Sequence, residues 1–569
     1  MTIIADLPEE IRSVLAANPE QAEKFWEWVS QVHYAQVVAQ AGKAQPLVAI
    51  KARFDFAAIE SVCAAYRRYA GGRGVDATHS VRQLCYGVVV KAFYNWSYAK
   101  TAQEVRSNSL LRWFVGYRLD QETFAPVTLW RFEAWLKESH PRLLFTEVLK
   151  QIDEDFPDDA QAAQVGDTFA LVSRAREQSR TELLRDASRR LLRALEQVAP
   201  QEHQRVLMQM TLDALFGTAT DQREWGMNKA ERDAREERTA LAALHMLECV
   251  RQVQTAVPPT QDILYLCLVR WQGIVAKVLQ DEFTFAQDDQ GIWVKATVRT
   301  KHVKGSYVIG SAVDPEATFR QHGDQCDLCY NVSVAATRNF IRETCAATGA
   351  KPDSQGVAPL LTAQKQHLGL LPPKLIYDRA AGMPKIFAEV DKASAGATQL
   401  VARLVDYNKA RLRFGPQDFT LGLDGQLTCP NGQTSGRFYR SPAGDGWTYR
   451  FAADQCQGCP LRAPCRSDKV KPDAFRQVFI SVYVDQQRQA LRYLSTAAFR
   501  QDMRLRPAIE RIIAALVRYN GARRATGYGL ANADYQARMA ALAFNLKRWA
   551  LLSYKRNKPK RTAPEPDTA

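Results

Sequence analysis

The chain has 569 residues, of which 46% are hydrophobic and 10% aromatic, a composition that excludes a disordered protein and a length that calls for more than one domain. Its 76 Lys and Arg against 61 Asp and Glu give a formal net charge of +15, a bias toward polyanionic partners. No run of about 18 apolar residues occurs, and the opening M-T-I-I-A-D-L-P-E-E has no basic stretch before an apolar one, so neither a membrane span nor a secretory signal is expected.

Residues 1–78 read as helical, because A-E-K-F-W-E-W-V-S-Q-V and F-A-A-I-E-S-V-C-A-A-Y-R-R-Y carry apolar residues at helical spacing, and G-G-R-G at 71–74 is a break. A second helical block follows, with V-R-Q-L-C-Y-G-V-V-V-K-A-F-Y-N-W, S-L-L-R-W-F-V-G-Y and T-L-W-R-F-E-A-W-L separated by turns. Arg112, Arg118 and Arg131 beside aromatics suit a bundle that binds nucleic acid, while the Trp and Phe themselves read as core. The first strand signal is A-Q-V-G-D-T-F-A-L-V, which carries Asp167. A charged helical stretch then runs to P-P-T at 258–260. Four strand-like segments come next: I-W-V-K-A-T-V-R-T, S-Y-V-I-G-S-A-V-D, L-C-Y-N-V-S-V-A-A-T and K-L-I-Y-D, the last ending on Asp378. The result is an α/β chain with a long helical insertion after its first strand. Near the end, R-L-R-P-A-I-E-R-I-I-A-A-L opens an amphipathic helix with Glu510, and Arg506 lies one turn before it. Arg518, Arg523 and Arg524 in R-Y-N-G-A-R-R-A-T-G-Y-G-L read equally as phosphate ligands or as a solvated basic turn. The tail K-R-N-K-P-K-R-T-A-P-E-P-D-T-A is basic, Pro-rich and expected to be disordered.

Two strand-borne Asp and one helix-borne Glu are the oxygen donors that hold two Mg²⁺ for in-line phosphoryl transfer, which makes Asp167, Asp378 and Glu510 the candidate catalytic set. Asp314, in V-D-P-E-A, is a reserve acid that reads better as a cap for the segment after it. Cys429, Cys456, Cys459 and Cys465 have turn residues around them and strand-like G-R-F-Y-R and W-T-Y-R-F between them, the pattern of a structural four-cysteine zinc site. The second C-x-x-C, Cys326 and Cys329, has no partner pair nearby, and Cys329 falls in an alternating strand pattern that turns it inward. Cys63, Cys85, Cys249, Cys267 and Cys345 are isolated in apolar stretches and read as core thiols. Eleven Cys, an odd number, point to a reducing compartment. The absence of H-E-x-x-H, a Walker A loop and G-x-S-x-G argues against a zinc protease, a P-loop ATPase and an α/β-hydrolase.

In their order along the chain, these stretches resemble the DDE transposases of bacterial insertion sequences. S-L-L-R-W-F-V-G-Y with T-L-W-R-F is similar to the family's N-terminal helical domain, V-G-D-T-F-A-L-V to its first-Asp strand, and S-A-V-D-P-E-A-T-F to the segment before its middle strands. K-L-I-Y-D-R-A-A-G resembles its second-Asp strand, and R-P-A-I-E-R-I with A-A-L-A-F-N-L-K-R-W its Glu helix and closing helix. Met503 and Val517 stand where related families often have Tyr and Lys, and R-A-A-G replaces the commoner Gly-Tyr after the second Asp. The resemblance implies a ribonuclease H-like core at 161–173, 261–420 and 476–555, with an N-terminal helical region at 1–78 and a helical DNA-binding domain at 79–160. It adds a helical insertion at 174–260, a zinc-ribbon-like insertion at 421–475 and a basic tail at 556–569. It implies strand cleavage and transfer at terminal inverted repeats by Asp167, Asp378 and Glu510 with Mg²⁺ or Mn²⁺, Arg506 steadying the Glu or a phosphate, and structural Zn²⁺. Arg112, Arg131, Arg518, Arg523 and Arg524 become the expected DNA contacts of a homodimer on DNA in the cytoplasm, at the nucleoid. A catalytically inactive DNA-binding scaffold and a nonspecific Mg²⁺ nuclease are the competing readings.

Overall fold

A computed structural model describes residues 8–66, 79–218, 226–255, 257–260, 262–300, 307–322, 324–405, 413–467, 469–471 and 473–556. The expected break at 71–74 and nearly all of the basic tail lie outside them. The first part is helical: α1 (Pro19–Ala41), α2 (Val81–Tyr94), α3 (Tyr98–Ser107), α4 (Ser109–Val115), α5 (Pro126–Ser139) and α6 (Leu143–Asp155). Their starts are chemically marked. Ser80 and Gln83 form a reciprocal cap on α2, Asn108 accepts from the first amides of α4, and α5 opens on Pro126.

The central sheet contains β1 (Gln164–Val172), β4 (Thr318–His322), β5 (Gln325–Ala336), β6 (Ile341–Thr348), β7 (Lys374–Ile376) and β8 (Gln399–Val401), with β2 (Phe283–Gln287) and β3 (Trp293–Val298) forming a separate hairpin. β1 pairs antiparallel with β5 on one side and parallel with β7 on the other, and β7 pairs parallel with β8. β4 and β6 share the far edge of the long β5. S-Y-V-I-G-S-A-V-D does not form the expected strand. It contributes a single bridge, Ile309 to Thr318, because Gln178 satisfies its backbone instead: the Gln178 amide donates to the Gly310 carbonyl at 3.0 Å, and the Ala312 amide donates to the Gln178 side chain at 2.7 Å.

One hydrophobic core joins Leu47 to Ile152 of the helical block, Val165, Phe169 and Leu171 of β1, and the helices after residue 497, so the boundary drawn at 160 runs through continuous packing. The inserted helices α7 (Arg180–Val198) and α8 (Lys229–Gln254) make a second core, which also takes in α9 (Ile263–Glu282), the β2–β3 hairpin, Ile309 and Ala312. The insertion therefore packs as a unit well beyond 260, where P-P-T ends a helix but not the module. Among the described residues α9 alone is long and apolar enough to cross a membrane by length and composition. One face, Leu268, Ile274, Val275, Val278 and Leu279, is buried against the inserted helices, while Ile263, Leu264, Leu266 and Val269 are exposed.

A third compact region carries the cysteine cluster on turns and short helices beside small sheets, with β9 (Arg437–Arg440), β10 (Gly446–Phe451) and β11 (Arg476–Ser481) in one sheet and its own core of Phe419, Leu427, Tyr449, Phe451, Val478 and Ile480. The chain then returns through α10 (Pro507–Tyr519) and α11 (Leu530–Arg556) to the main core.

Candidate active site

Asp167 sits in the middle of β1, the strand with neighbours on both sides. Gln164 lies opposite Leu375 and Val165 opposite Ile376 in parallel register, so two further steps bring Asp167 level with Asp378. The intervening pair shows the register continuing: a Cβ on Gly166 would lie 2.4 Å from the Tyr377 ring. Side chains alternate along β1, so Asp167 belongs to the face opposite the one where Gly166 meets Tyr377.

That other face is covered by α10. Pro507 starts the helix, Ile509, Ile512 and Leu516 bury its apolar stripe, and Glu510 occupies its first turn, where a carboxylate is favoured by the helix dipole. Arg506 bridges strand and helix, donating to Glu510 Oε1 at 2.9 Å and to Asp167 Oδ2 at 3.4 Å. Burial pushes the Asp167 carboxyl above its usual range. The Thr168 amide and Arg506 pull it back, and Asp378 and Asp353 add repulsion. Asp378 caps the turn after β7 by accepting from the Ala380 amide at 2.9 Å. Glu510 is the outermost of the three, its side chain 60% exposed. All three are hard oxygen donors of the type that Mg²⁺ takes, and Arg506 joins two of them, Asp167 and Glu510. Among the described residues no group of three or more His, Cys, Asp and Glu side chains stands within ligand reach of a common point.

Asp353 was not anticipated. It follows β6 in K-P-D-S-Q-G, and Arg320 of β4 and Asn331 of β5 donate to it at 2.8 Å each. Its only sequence signal is a Pro-Asp pair opening a helical turn. Asp314 does not cap the segment after it. It is fully buried and accepts from Ser173 at 2.6 Å, from Tyr330, and from the Gly529 amide at 3.1 Å, tying three distant segments together.

The arginines divide. Arg112 is buried, 8% exposed, with its guanidinium spent on the carbonyls of Arg118, Leu119 and Gln121, which removes it from the expected DNA contacts. Its aromatic neighbours marked a core position and not a surface. Arg112→Ala should lower stability by about 2–3 kcal/mol, because three carbonyls lose a charged donor. Urea unfolding checks the loss, and duplex affinity per folded molecule should not change. Arg118 is held by Glu23 and Asp120. Arg131, Arg518, Arg523 and Arg524 are exposed. The Arg-Gly run is not a free turn: the Val172 amide donates to the Arg523 carbonyl and the Ala525 amide to the Val172 carbonyl at 2.7 Å, which docks the run on the end of β1. Met503 and Val517 both pack against the main core.

Cys429, Cys456, Cys459 and Cys465 line one cavity of about 30 Å³ with Phe419, Phe451 and three arginines. Burial raises the Cys456 and Cys465 thiols, and the neighbouring thiols add to it against the opposing arginines. Cys329 is buried and pushed up to about 11 by burial, as a core thiol would be, whereas Cys326 is exposed.

Two segments of the chain match family models, and both are of transposase domains. Residues 428–550, which hold the cysteine cluster, Arg506, Glu510 and most of α11, match the model described as "Transposase DDE domain". Residues 36–135, most of the N-terminal helical block, match "Transposase domain (DUF772)". Asp167 and Asp378 lie outside both matches. No curated protein and no solved structure matches the chain.

Proposed function

We propose that the protein is a DNA transposase that cleaves and transfers strands at the terminal inverted repeats of an insertion sequence. The observation that carries this is the parallel pairing of β1 with β7, which puts Asp167 on one strand and Asp378 in the turn just past the other, with Glu510 linked to Asp167 through Arg506. The sheet, antiparallel through β4 and β6, β5 and β1 and then parallel through β7 and β8, supports reading 161–173, part of 261–420 and 476–555 as a ribonuclease H-like core. Asp167, Asp378 and Glu510 would hold Mg²⁺ or Mn²⁺, which when bound activates an attacking water or 3′-hydroxyl and stabilises the leaving oxygen. Arg506 holds Glu510 toward the strands and offers a guanidinium to a phosphate. Arg131 on α5, with Arg518, Arg523 and Arg524, would track the DNA backbone across the seam between the two transposase-matched segments. Two DNA ends call for two copies of the chain on DNA.

Incubation with Mg²⁺ and a labelled duplex ending in the terminal repeat, beside a scrambled duplex, tests this reading. Cuts confined to the repeat boundary support it. Equal cutting of both duplexes would make the protein a general nuclease, and specific binding without cutting in Mg²⁺ or Mn²⁺ would make it a DNA-binding scaffold.

In the small domain we infer a structural Zn²⁺ on Cys429, Cys456, Cys459 and Cys465. The expected stoichiometry is one Zn²⁺ per chain by elemental analysis, lost in Cys459→Ser. Removal by chelation should unfold the region around Phe419 and Tyr449, whose core is small.

A further inference from the structure

Behind the candidate site, on the opposite face of the sheet from Asp167, lies an ion pair that neither family match covers. Asp353 Oδ1 accepts from Arg320 at 2.8 Å and from Asn331 Nδ2 at 2.8 Å. The same Arg320 nitrogen lies 3.5 Å from the Thr168 hydroxyl, and the Thr168 amide donates to Asp167 Oδ1 at 2.8 Å. The cluster thus joins β4, β5, β1 and the turn before the helix Val357–Leu368, and it touches the residue next to Asp167. Asn331 is 2% exposed, and its amide also bonds the Lys351 carbonyl at 2.8 Å, so the acceptor position of Asp353 is fixed by buried groups. Hydrogen bonds from Arg320 and Asn331 outweigh burial and hold the Asp353 carboxyl below its usual range, so it stays ionised beside Asp167.

A packing brace needs only shape. A full negative and a full positive charge set behind Asp167 also act on its field, because screening through a sheet is weaker than through water. We propose that Arg320 and Asp353 are a positioning pair that sets the divalent-cation affinity of the Asp167–Asp378 site, an inference that rests on the metal-binding reading above. The two members pull in opposite directions. Asp353 draws a cation toward the site, Arg320 opposes it, and together they hold Thr168 and the strand in place.

The test is a titration of the full-length protein with Mn²⁺ alone, read by electron paramagnetic resonance, with melting curves to verify folding. Asp353→Asn keeps an oxygen for Arg320 and should weaken Mn²⁺ binding by about three- to tenfold. Arg320→Gln should tighten it by a similar factor, and the double variant should return close to the parent. Shifts of both single variants in the same direction, or no shift in folded protein, would reduce the pair to a brace and overturn the inference. Asp378→Asn is the control: it should abolish Mn²⁺ binding at this site, and Mn²⁺ binding that does not depend on Asp378 would overturn the metal-binding reading itself.

Discussion

Asp378→Asn should remove strand cleavage by about a thousandfold or more, roughly 4 kcal/mol in the barrier, while leaving the fold and DNA binding intact. The substitution is conservative in every respect but charge. Asn accepts from the Ala380 amide as Asp does, so the turn after β7 keeps its cap. Asp167→Asn should abolish cleavage to the same extent, with an added signature. The metal-free protein holds the Asp167 carboxyl above its usual range through burial and through repulsion from Asp378, so its ionisation opposes folding. That penalty is absent at pH below the ordinary carboxylate range and is full once pH has risen through the raised value. Asp167→Asn should therefore melt higher than the parent at neutral pH without metal, and the difference should close in acid. Single-turnover cleavage and pH-dependent melting check the two halves. Lower stability at neutral pH would contradict the repulsive geometry.

Gly166→Ala should destabilise the protein by about 3 kcal/mol. The added methyl would lie 2.4 Å from the Tyr377 ring, and that ring is fully buried in a core with Leu360, Leu361 and Leu375, so it has nowhere to move. The clash falls between the two strands that register Asp167 with Asp378, so activity should fall further than the loss of folded protein explains. Gly273 in α9 is the control. A Cβ there meets nothing within 4 Å, so Gly273→Ala should be neutral or stabilising through helix propensity. Equilibrium unfolding of both variants measures the contrast.

Much of this was legible where local chemistry was strong. V-G-D-T-F-A-L-V and K-L-I-Y-D are bounded apolar runs, and both contribute strands to the sheet, the second only over Lys374–Ile376, so that Asp378 falls in the turn beyond it. The amphipathic helix at Glu510 declared itself by Pro507 and by its buried Ile509, Ile512 and Leu516. What local pattern could not reveal was long-range partnership. Arg112 looked like a surface arginine among aromatics, yet carbonyls six to nine residues later claim it. Gln178 replaces a ladder for S-Y-V-I-G-S-A-V-D, and a single polar side chain has no periodicity to announce that role. Asp353 meets Arg320 and Asn331 only after three strands have paired. P-P-T punctuates the backbone at 258–260, whereas the buried face of α9 joins the core of the inserted helices, a partnership no local pattern announces.

The most direct measurement of the central claim is an anomalous difference map from a crystal of the protein grown with Mn²⁺. Mn²⁺ density is expected between Asp167 and Asp378, with Glu510 turned toward it and away from Arg506. Density absent from that face, or bound elsewhere with Asp167 and Asp378 bare, would contradict it.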